Sequence, residues 1–280
     1  MLASPEISPR LYRAGHGEPL VLVHGFTATW RCWHPVIADL VPRFEVIAPT
    51  LHGHDGGPLP PDGPAHSIGH AADHFESLLD EHGVGSAHFA GNSMGGAISL
   101  EMAKRGRARS IVAISPGGGW EAHDTAEAER IIRWFARNQK LARASERYTP
   151  RLMRRPGVRR LALRDVMTRG DQVPPDEAIA LARSSIRCTV VDDVFATIRS
   201  GSARVLDLDR IACPVLIAWG EHDRVLPMAR HAGRFRRELP DAEFRVLRGV
   251  GHTPMWDAPR LIAGLIADFA TAAERRTAAA

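Results

Sequence analysis

Cysteine is scarce in this chain: Cys32, Cys188 and Cys213 are the only three in 280 residues, and no two form a C-x-x-C pair. An odd, scattered set does not make a disulfide framework. With no charged-then-apolar leader at the start of the sequence, the expectation is a reducing, cytoplasmic setting. Long apolar runs are missing as well. Stretches such as Pro19 to Val23 and Pro214 to Ala218 fall far short of the ~20 residues that span a bilayer, so no membrane insertion is expected. Nor is there a large excess of one charge. The formal balance is +4 with histidine neutral, and the excess sits in an arginine-dense stretch from Arg130 to Arg169. Those arginines read as solvated helix faces. A nucleic-acid surface would instead bind with an affinity that collapses in salt, and no nucleic-acid partner is expected. No internal repeat is visible.

What remains is an ordinary globular composition, 44% apolar and 24% charged, in a length that suits one large α/β domain carrying an insertion. Short β-rich runs alternate with helical patterns, the mark of a mostly parallel sheet covered by helices on both faces. The strands expected are Pro19–Val23, Phe44–Ala48, Ser86–Ala90, Ser110–Ile114, Pro214–Ala218 and Ala242–Leu247. One antiparallel edge strand over Ile7–Tyr12 brings the sheet to about seven. Ile68, Ala71, Ala72, Phe75, Leu78 and Leu79 keep helical spacing before Gly83, and Leu261, Ile262, Leu265, Ile266 and Phe269 stripe a last helix. Between residues 120 and 202 the alternation stops. Consecutive helices broken by Pro150, Pro156 and Pro174-Pro175 read as a helical cap (lid), with residues 1–119 and 203–280 as the core. Gly117-Gly118-Gly119 and Gly201 are flexible enough to hinge it.

The residues that carry chemistry lie just past strand ends. Gly91-Asn92-Ser93-Met94-Gly95-Gly96 reads as strand, tight turn and helix with serine at the bend. A hydroxyl is a weak nucleophile, so the chain must expose it and aim a base at it. Gly91 and Gly95 let the backbone pass where a Cβ would collide. After the first strong strand, His24-Gly25-Phe26 can turn the Phe26 amide toward the same spot as the Met94 amide. Two such donors form an oxyanion hole, each worth ~3 kcal/mol of transition-state stabilisation. His24 is taken as structural. An acid and then a base should follow in chain order. Asp223, in Trp219-Gly-Glu-His-Asp, is preferred to the rival Glu221, and His252 stands between Gly251 and Pro254 in a loop free to approach Ser93.

With these motifs in this order the chain resembles the α/β-hydrolase superfamily from about Pro19 to Phe269, apart from the cap. The resemblance implies a Ser93-Asp223-His252 triad, an oxyanion hole at Phe26 and Met94, and a small-molecule ester, lactone or related acyl substrate, with no metal and no cofactor. Gly25, Asn92, Trp30 and Trp120 are candidate pocket residues. The elbow Asn92-Ser93-Met94-Gly95-Gly96 is similar to that of hydrolases cleaving carbon–carbon bonds in ring-fission products. Thr253 stands where those enzymes usually carry tryptophan, and Thr27-Ala28-Thr29 replaces their glycine-rich oxyanion loop. A serine nucleophile argues against haloalkane dehalogenases and epoxide hydrolases. Carbon–carbon cleavage, and a small-molecule receptor on the same fold, stand as alternatives, and a homo-oligomer is compatible with the sequence. His52-Gly-His54-Asp55 is read as a structural loop rather than a metal cluster, and His66, His70 and His74 as a solvated helix face. The arginine stretch raises the expectation that acidic substrates are accepted.

Overall fold

A computed structural model of the chain describes residues 5–60, 67–121 and 123–279; His66 lies outside them. Eight strands form one sheet: β1 (Glu6–Ile7), β2 (Leu11–Ala14), β3 (Glu18–Val23), β4 (Phe44–Pro49), β5 (Ala87–Asn92), β6 (Ala108–Ile114), β7 (Val215–Gly220) and β8 (Glu243–Leu247), in the order β1-β2-β4-β3-β5-β6-β7-β8. The six strands from β4 to β8 pair in parallel, and β1 and β2 pair antiparallel at one edge. The sheet therefore has one strand more than the seven expected. Pro9 offers no N–H to a ladder, and the Ser8 amide closes a turn onto the Leu11 carbonyl at 2.9 Å. What reads as a single strand over Ile7–Tyr12 is thus a hairpin, with Ile7 paired to Tyr12.

The helices are α1 (His34–Leu40), α2 (Ile68–Glu81), α3 (Met94–Lys104), α4 (Thr125–Ser145), α5 (Thr149–Leu152), α6 (Pro156–Leu163), α7 (Pro175–Arg187), α8 (Val191–Arg199), α9 (Met228–Glu238), α10 (Pro254–Asp257) and α11 (Pro259–Ala279). Successive strand side chains face opposite ways, so each buried strand feeds two cores. Val21, Val23, Ile217 and Trp219 pack with α2, α3 and α9, while Leu20, Leu22, Leu216 and Ala218 pack with α1 and α11. The Ser67 hydroxyl accepts the His70 amide at 3.1 Å and so caps α2. Helices α4 to α8 are inserted between β6 and β7; Ile131 and Ile132 of α4 and Phe195 and Ile198 of α8 join the core on one face of the sheet, while a small separate cluster around Met167, Val173 and Ala178 packs against Trp256.

The glycines expected to hinge this insertion differ in their surroundings. Gly117 donates its amide to the Ser93 carbonyl at 2.9 Å, and the buried Arg234 guanidinium donates to the Gly118 carbonyl at 2.8 Å. A Cβ on Gly119 would stand 2.3 Å from the His231 carbonyl oxygen. Gly117 is held by its hydrogen bond and Gly118 and Gly119 by close packing, whereas Gly201 has open space around it. No helix of the described residues is long and apolar enough to cross a membrane.

Candidate active site

Ser93 stands between the end of β5 and the start of α3 with φ 57° and ψ −118°. Left-handed backbone costs a non-glycine residue of order 1–3 kcal/mol, and the surroundings enforce it. The Ser93 amide donates to the Ile114 carbonyl at 3.0 Å, and its carbonyl accepts from Ala97 and Gly117. A Cβ on Gly91 would lie 2.2 Å from the Gly95 oxygen, and one on Gly95 would lie 2.1 Å from the Val23 oxygen. Both positions exclude any other residue, because strand, helix and the neighbouring β3 meet backbone to backbone there.

Past β3 the chain reverses at Gly25 to Ala28. The Ala28 amide bonds the Gly25 carbonyl at 3.2 Å, and Thr27 takes a left-handed φ of 64°. A Cβ on Gly25 would come within 3.2 Å of Ser93 Cβ, so the turn lies directly against the serine. Among the described residues, neither the Phe26 nor the Met94 amide is taken up by a backbone acceptor. His24 holds the turn from below. The Leu51 amide donates to its Nε2 at 2.9 Å, and Nδ1 lies 2.8 Å from the Gly25 carbonyl. Burial first, then the neighbouring His54, keep its pKa well below the ordinary histidine value, so the ring is neutral and structural.

His252 comes from the loop after β8. Its Nδ1 lies 2.7 Å from Asp223 Oδ2, with both side chains buried. The other Asp223 oxygen accepts the Val225 and Leu226 amides at 2.9 and 2.8 Å. A carboxylate fixed by two backbone donors accepts a hydrogen bond from the Nδ1–H of the imidazole, which leaves the Nε2 lone pair free to accept a proton. Glu221 lies elsewhere: it is half-exposed and accepts the Gly249 amide at 2.9 Å. Asn92 Nδ2 donates to the His252 carbonyl at 2.9 Å and to the Ile114 carbonyl at 3.2 Å. It therefore ties the His252 backbone to the turn that carries Ser93.

Ser93, His252, Gly25, Phe26 and Asn92 line one cavity of about 340 Å³, roofed by side chains of α4 to α7. Trp120 lines a second, smaller cavity that also reaches Ser93. Trp30 lines neither: its indole donates to the Ser8 carbonyl at 2.8 Å and its ring packs on Tyr12. In its place α4 supplies Trp134, whose indole N–H donates to Asp165 at 3.1 Å. No lysine or arginine is among the described residues that line the larger cavity; Asp165, His252 and Cys32 are its ionisable side chains. Four arginines of the 130–169 stretch are engaged with other groups of the chain. Arg130 pairs with Glu127, Arg137 and Arg164 lie near Asp165, and Arg159 donates to the Met153 and Asp171 carbonyls. Burial pushes the Cys32 thiol well above its ordinary pKa, so it stays protonated and does not compete as a nucleophile.

The sequence reading also missed Asp257 at the end of α10. This buried carboxylate accepts the Gly251 amide at 2.8 Å, the Thr168 amide at 2.9 Å and the Arg169 amide at 2.8 Å. Beside it the Thr253 amide donates to Val166 O, and Thr168 Oγ1 donates to Gly249 O, each at 2.9 Å. The loop that carries His252 and the segment 166–169 of the insertion are thus zipped together. Among the described residues no group of three or more histidine, cysteine, aspartate or glutamate side chains is arranged to hold a metal. His54 is buried, with Nδ1 3.0 Å from the His52 carbonyl, and His70 and His74 lie on α2, where the His74 ring packs 5.6 Å from that of His52.

The chain is similar to known proteins. The model of the alpha/beta hydrolase family matches residues 20–265. The protein named epoxide hydrolase EphH of Mycobacterium tuberculosis is 35% identical over 201 residues, covering 71% of this chain and 92% of that one. The 2-hydroxy-6-oxo-2,4-heptadienoate hydrolase of Pseudomonas putida is 26% identical over 292 residues, with 97% and 96% covered. Among solved structures, a bacterial membrane phospholipase A shares the fold with a TM-score of 0.74 at 23% identity, over 97% of this chain and 86% of that one. With the matched region spanning the sheet from β3 to α11, the chain belongs to the alpha/beta hydrolase family.

Proposed function

We propose that this chain is a serine hydrolase that cleaves a neutral small-molecule ester or related acyl compound through a covalent acyl-enzyme, with residues 120–202 acting as a cap over the site. The observation that carries the reading is the joint placement of a strained Ser93 and an Asp223-bound His252 in the wall of one cavity. In the reaction His252 Nε2 takes the Ser93 hydroxyl proton as Oγ attacks the acyl carbon. Asp223 holds the imidazole in the productive tautomer and stabilises the imidazolium. The Phe26 and Met94 amides receive the oxyanion, and water then releases the acyl group by the same steps in reverse roles. The chemistry needs no cofactor.

Two relatives suggest other chemistry, and the residues here weigh against both. A serine that opened an epoxide would form an ether, which has no carbonyl carbon for water to attack, so turnover would stop after one event. The product of an acyl attack is an ester, which water can cleave. A dienoate substrate, as the name of the Pseudomonas relative specifies, carries a carboxylate. The lining of the cavity at Ser93 offers it no lysine or arginine; Asp165 stands in the wall, and the nearby Arg137 and Arg164 lie 3.7 and 3.8 Å from that carboxylate. For the same reason the proposal is of neutral rather than acidic substrates.

Turnover of p-nitrophenyl butanoate by the wild type and by Ser93→Ala tests the proposal. Repeated turnover that falls about 10³-fold or more in the variant is expected. A folded wild type that turns over no ester would point to a non-turnover receptor and would contradict the reading.

A further inference from the structure

Two cavities reach Ser93, and they are not equivalent. The larger, of about 340 Å³, has His252 in its wall. The smaller, of about 100 Å³, lies among Ile68, Met94, Trp120, Ile131 and Ile198, and His252 takes no part in lining it. Phe26, Phe135 and Val225 line both cavities together with Ser93, so the two adjoin at the reacting hydroxyl. Resting on the acyl-transfer reading above, we infer that the small chamber receives the acyl chain and the large chamber the alcohol, which makes the substrates esters of short apolar acids with bulky neutral alcohols.

The assignment follows from where the proton must go. Ser93 Oγ bonds to the carbonyl carbon while its proton passes to His252 Nε2, and the carbonyl oxygen becomes the oxyanion at the Phe26 and Met94 amides. When that intermediate collapses, the bond to the alcohol oxygen breaks and the departing oxygen takes the proton from His252. The alcohol must therefore lie beside His252, in the large chamber. Water later enters from the same side, gives a proton to His252 and bonds to the acyl carbon, and Ser93 Oγ recovers the proton as the acid leaves. One substituent of the tetrahedral carbon is then unplaced, the acyl chain, and one space at Ser93 is unfilled, the chamber without His252.

Size sharpens the inference. A water-sized group occupies about 30 Å³ in the liquid, so the small chamber holds roughly three carbons beyond the carbonyl and the large one roughly eleven such groups. The acyl optimum is expected at butanoyl. A buried methylene is worth about fourfold, so kcat/KM should rise about fifteenfold from acetyl to butanoyl and fall at least tenfold by octanoyl. Aryl alcohols up to naphthyl should be accepted.

The experiment measures kcat/KM for p-nitrophenyl esters from acetate to decanoate, and for butanoate esters from methyl to naphthyl. Both series are run on the wild type, Ser93→Ala, Ala71→Leu, Ala182→Leu and Ile131→Ala. Ala71 lines the small chamber and Ala182 the large one. Ala71→Leu should move the acyl optimum to acetyl and lower all butanoate esters by a similar factor, leaving the order of the alcohol series unchanged, whereas Ala182→Leu should cut the bulky alcohols selectively and leave the acyl optimum in place. Ile131→Ala, which enlarges the small chamber, should move the optimum to hexanoyl. An optimum at octanoyl or beyond, or an Ala71→Leu effect on the alcohol series alone, with Ser93-dependent turnover intact, overturns only the assignment of the chambers. Absence of all ester turnover in the folded wild type overturns the acyl-transfer reading together with it.

Discussion

The Asp257 carboxylate accepts the Gly251 amide at 2.8 Å, one residue before His252, while its other oxygen accepts amides of the inserted segment at Thr168 and Arg169. One buried side chain thereby sets the position of the proposed base against the inserted segment. Asp257→Ala leaves three backbone donors without partners, each costing about 1–3 kcal/mol when it stays buried. The expected outcome is a melting temperature lower by 10 °C or so and a kcat reduced more than KM is raised. Asp257→Asn keeps one acceptor and should recover part of the kcat. Calorimetry beside steady-state kinetics checks both, and an Ala variant with unchanged kcat would remove the positioning role.

At Asp223 the prediction concerns tautomer rather than packing. An asparagine there presents an amide where Oδ2 now faces His252 Nδ1 at 2.7 Å, and the ring then loses its preferred protonation pattern. Asp223→Asn should lower kcat about 10³- to 10⁴-fold with little change in stability. Asp223→Ala should also destabilise the fold, because Val225 and Leu226 lose their acceptor. Glu221→Gln serves as the comparison and should retain activity.

His54 makes stability depend on pH. Burial, outweighing its hydrogen bonds to the backbone, pushes the folded-state pKa down to about 4 from 6.5. The unfolded chain then binds the proton that the folded chain refuses, so the stability this histidine supports is complete above pH 6.5 and is lost as pH falls toward 4. Between pH 7 and pH 5 the loss is about 2 kcal/mol, and His24, also held neutral by burial, adds a loss of the same sign. Glu127 acts in a separate, lower window. Burial alone would raise its pKa, but hydrogen bonds from His231, Arg130 and Arg230 hold it well below the carboxylate range, so its contribution is lost only in more acid solution. Urea midpoints at the two pH values should differ less in His54→Leu than in the wild type. Equal differences would contradict the assignment.

Gly95→Ala tests the elbow without touching a reacting group. The added methyl would meet the Val23 oxygen at 2.1 Å, and neither backbone can retreat without moving β3 or α3. A destabilisation of about 2 kcal/mol or more and loss of most activity are expected. Gly83→Ala, a glycine with open space around it but φ of 71°, should be milder.

Much of this site was legible because it is local. The Ser93 turn, the Gly25–Ala28 turn and the His252 loop each occupy a few consecutive residues at a strand end, and glycines that admit no Cβ mark two of them. Asp223 could be set above Glu221 only as a preference, since the choice depends on how the loop after β7 folds back on Val225 and Leu226. The cavity walls were legible only in part: Gly25, Asn92 and Trp120 line the cavities at Ser93, and Trp30 does not. Trp30 and Trp134 look alike in sequence, yet one indole is tied to Ser8 in the edge hairpin and the other to Asp165 in the roof. Asp257 carried no signal, because its three partners lie 6 to 89 residues away. The hairpin at Pro9 was missed because two- and four-residue strands are too short for an alternating pattern to register.

The central claim is that Ser93 is an activated nucleophile, and a fluorophosphonate measures that directly, whatever the natural substrate. Such a reagent phosphonylates a serine whose proton is taken by an adjacent base, with loss of fluoride. Mass spectrometry of the intact protein and of its peptides should find one adduct, on the peptide holding Ser93. Labelling should be absent in Ser93→Ala and slowed at least 100-fold in His252→Ala. A folded wild type left unlabelled, or an adduct that persists on another residue in Ser93→Ala, would contradict the account.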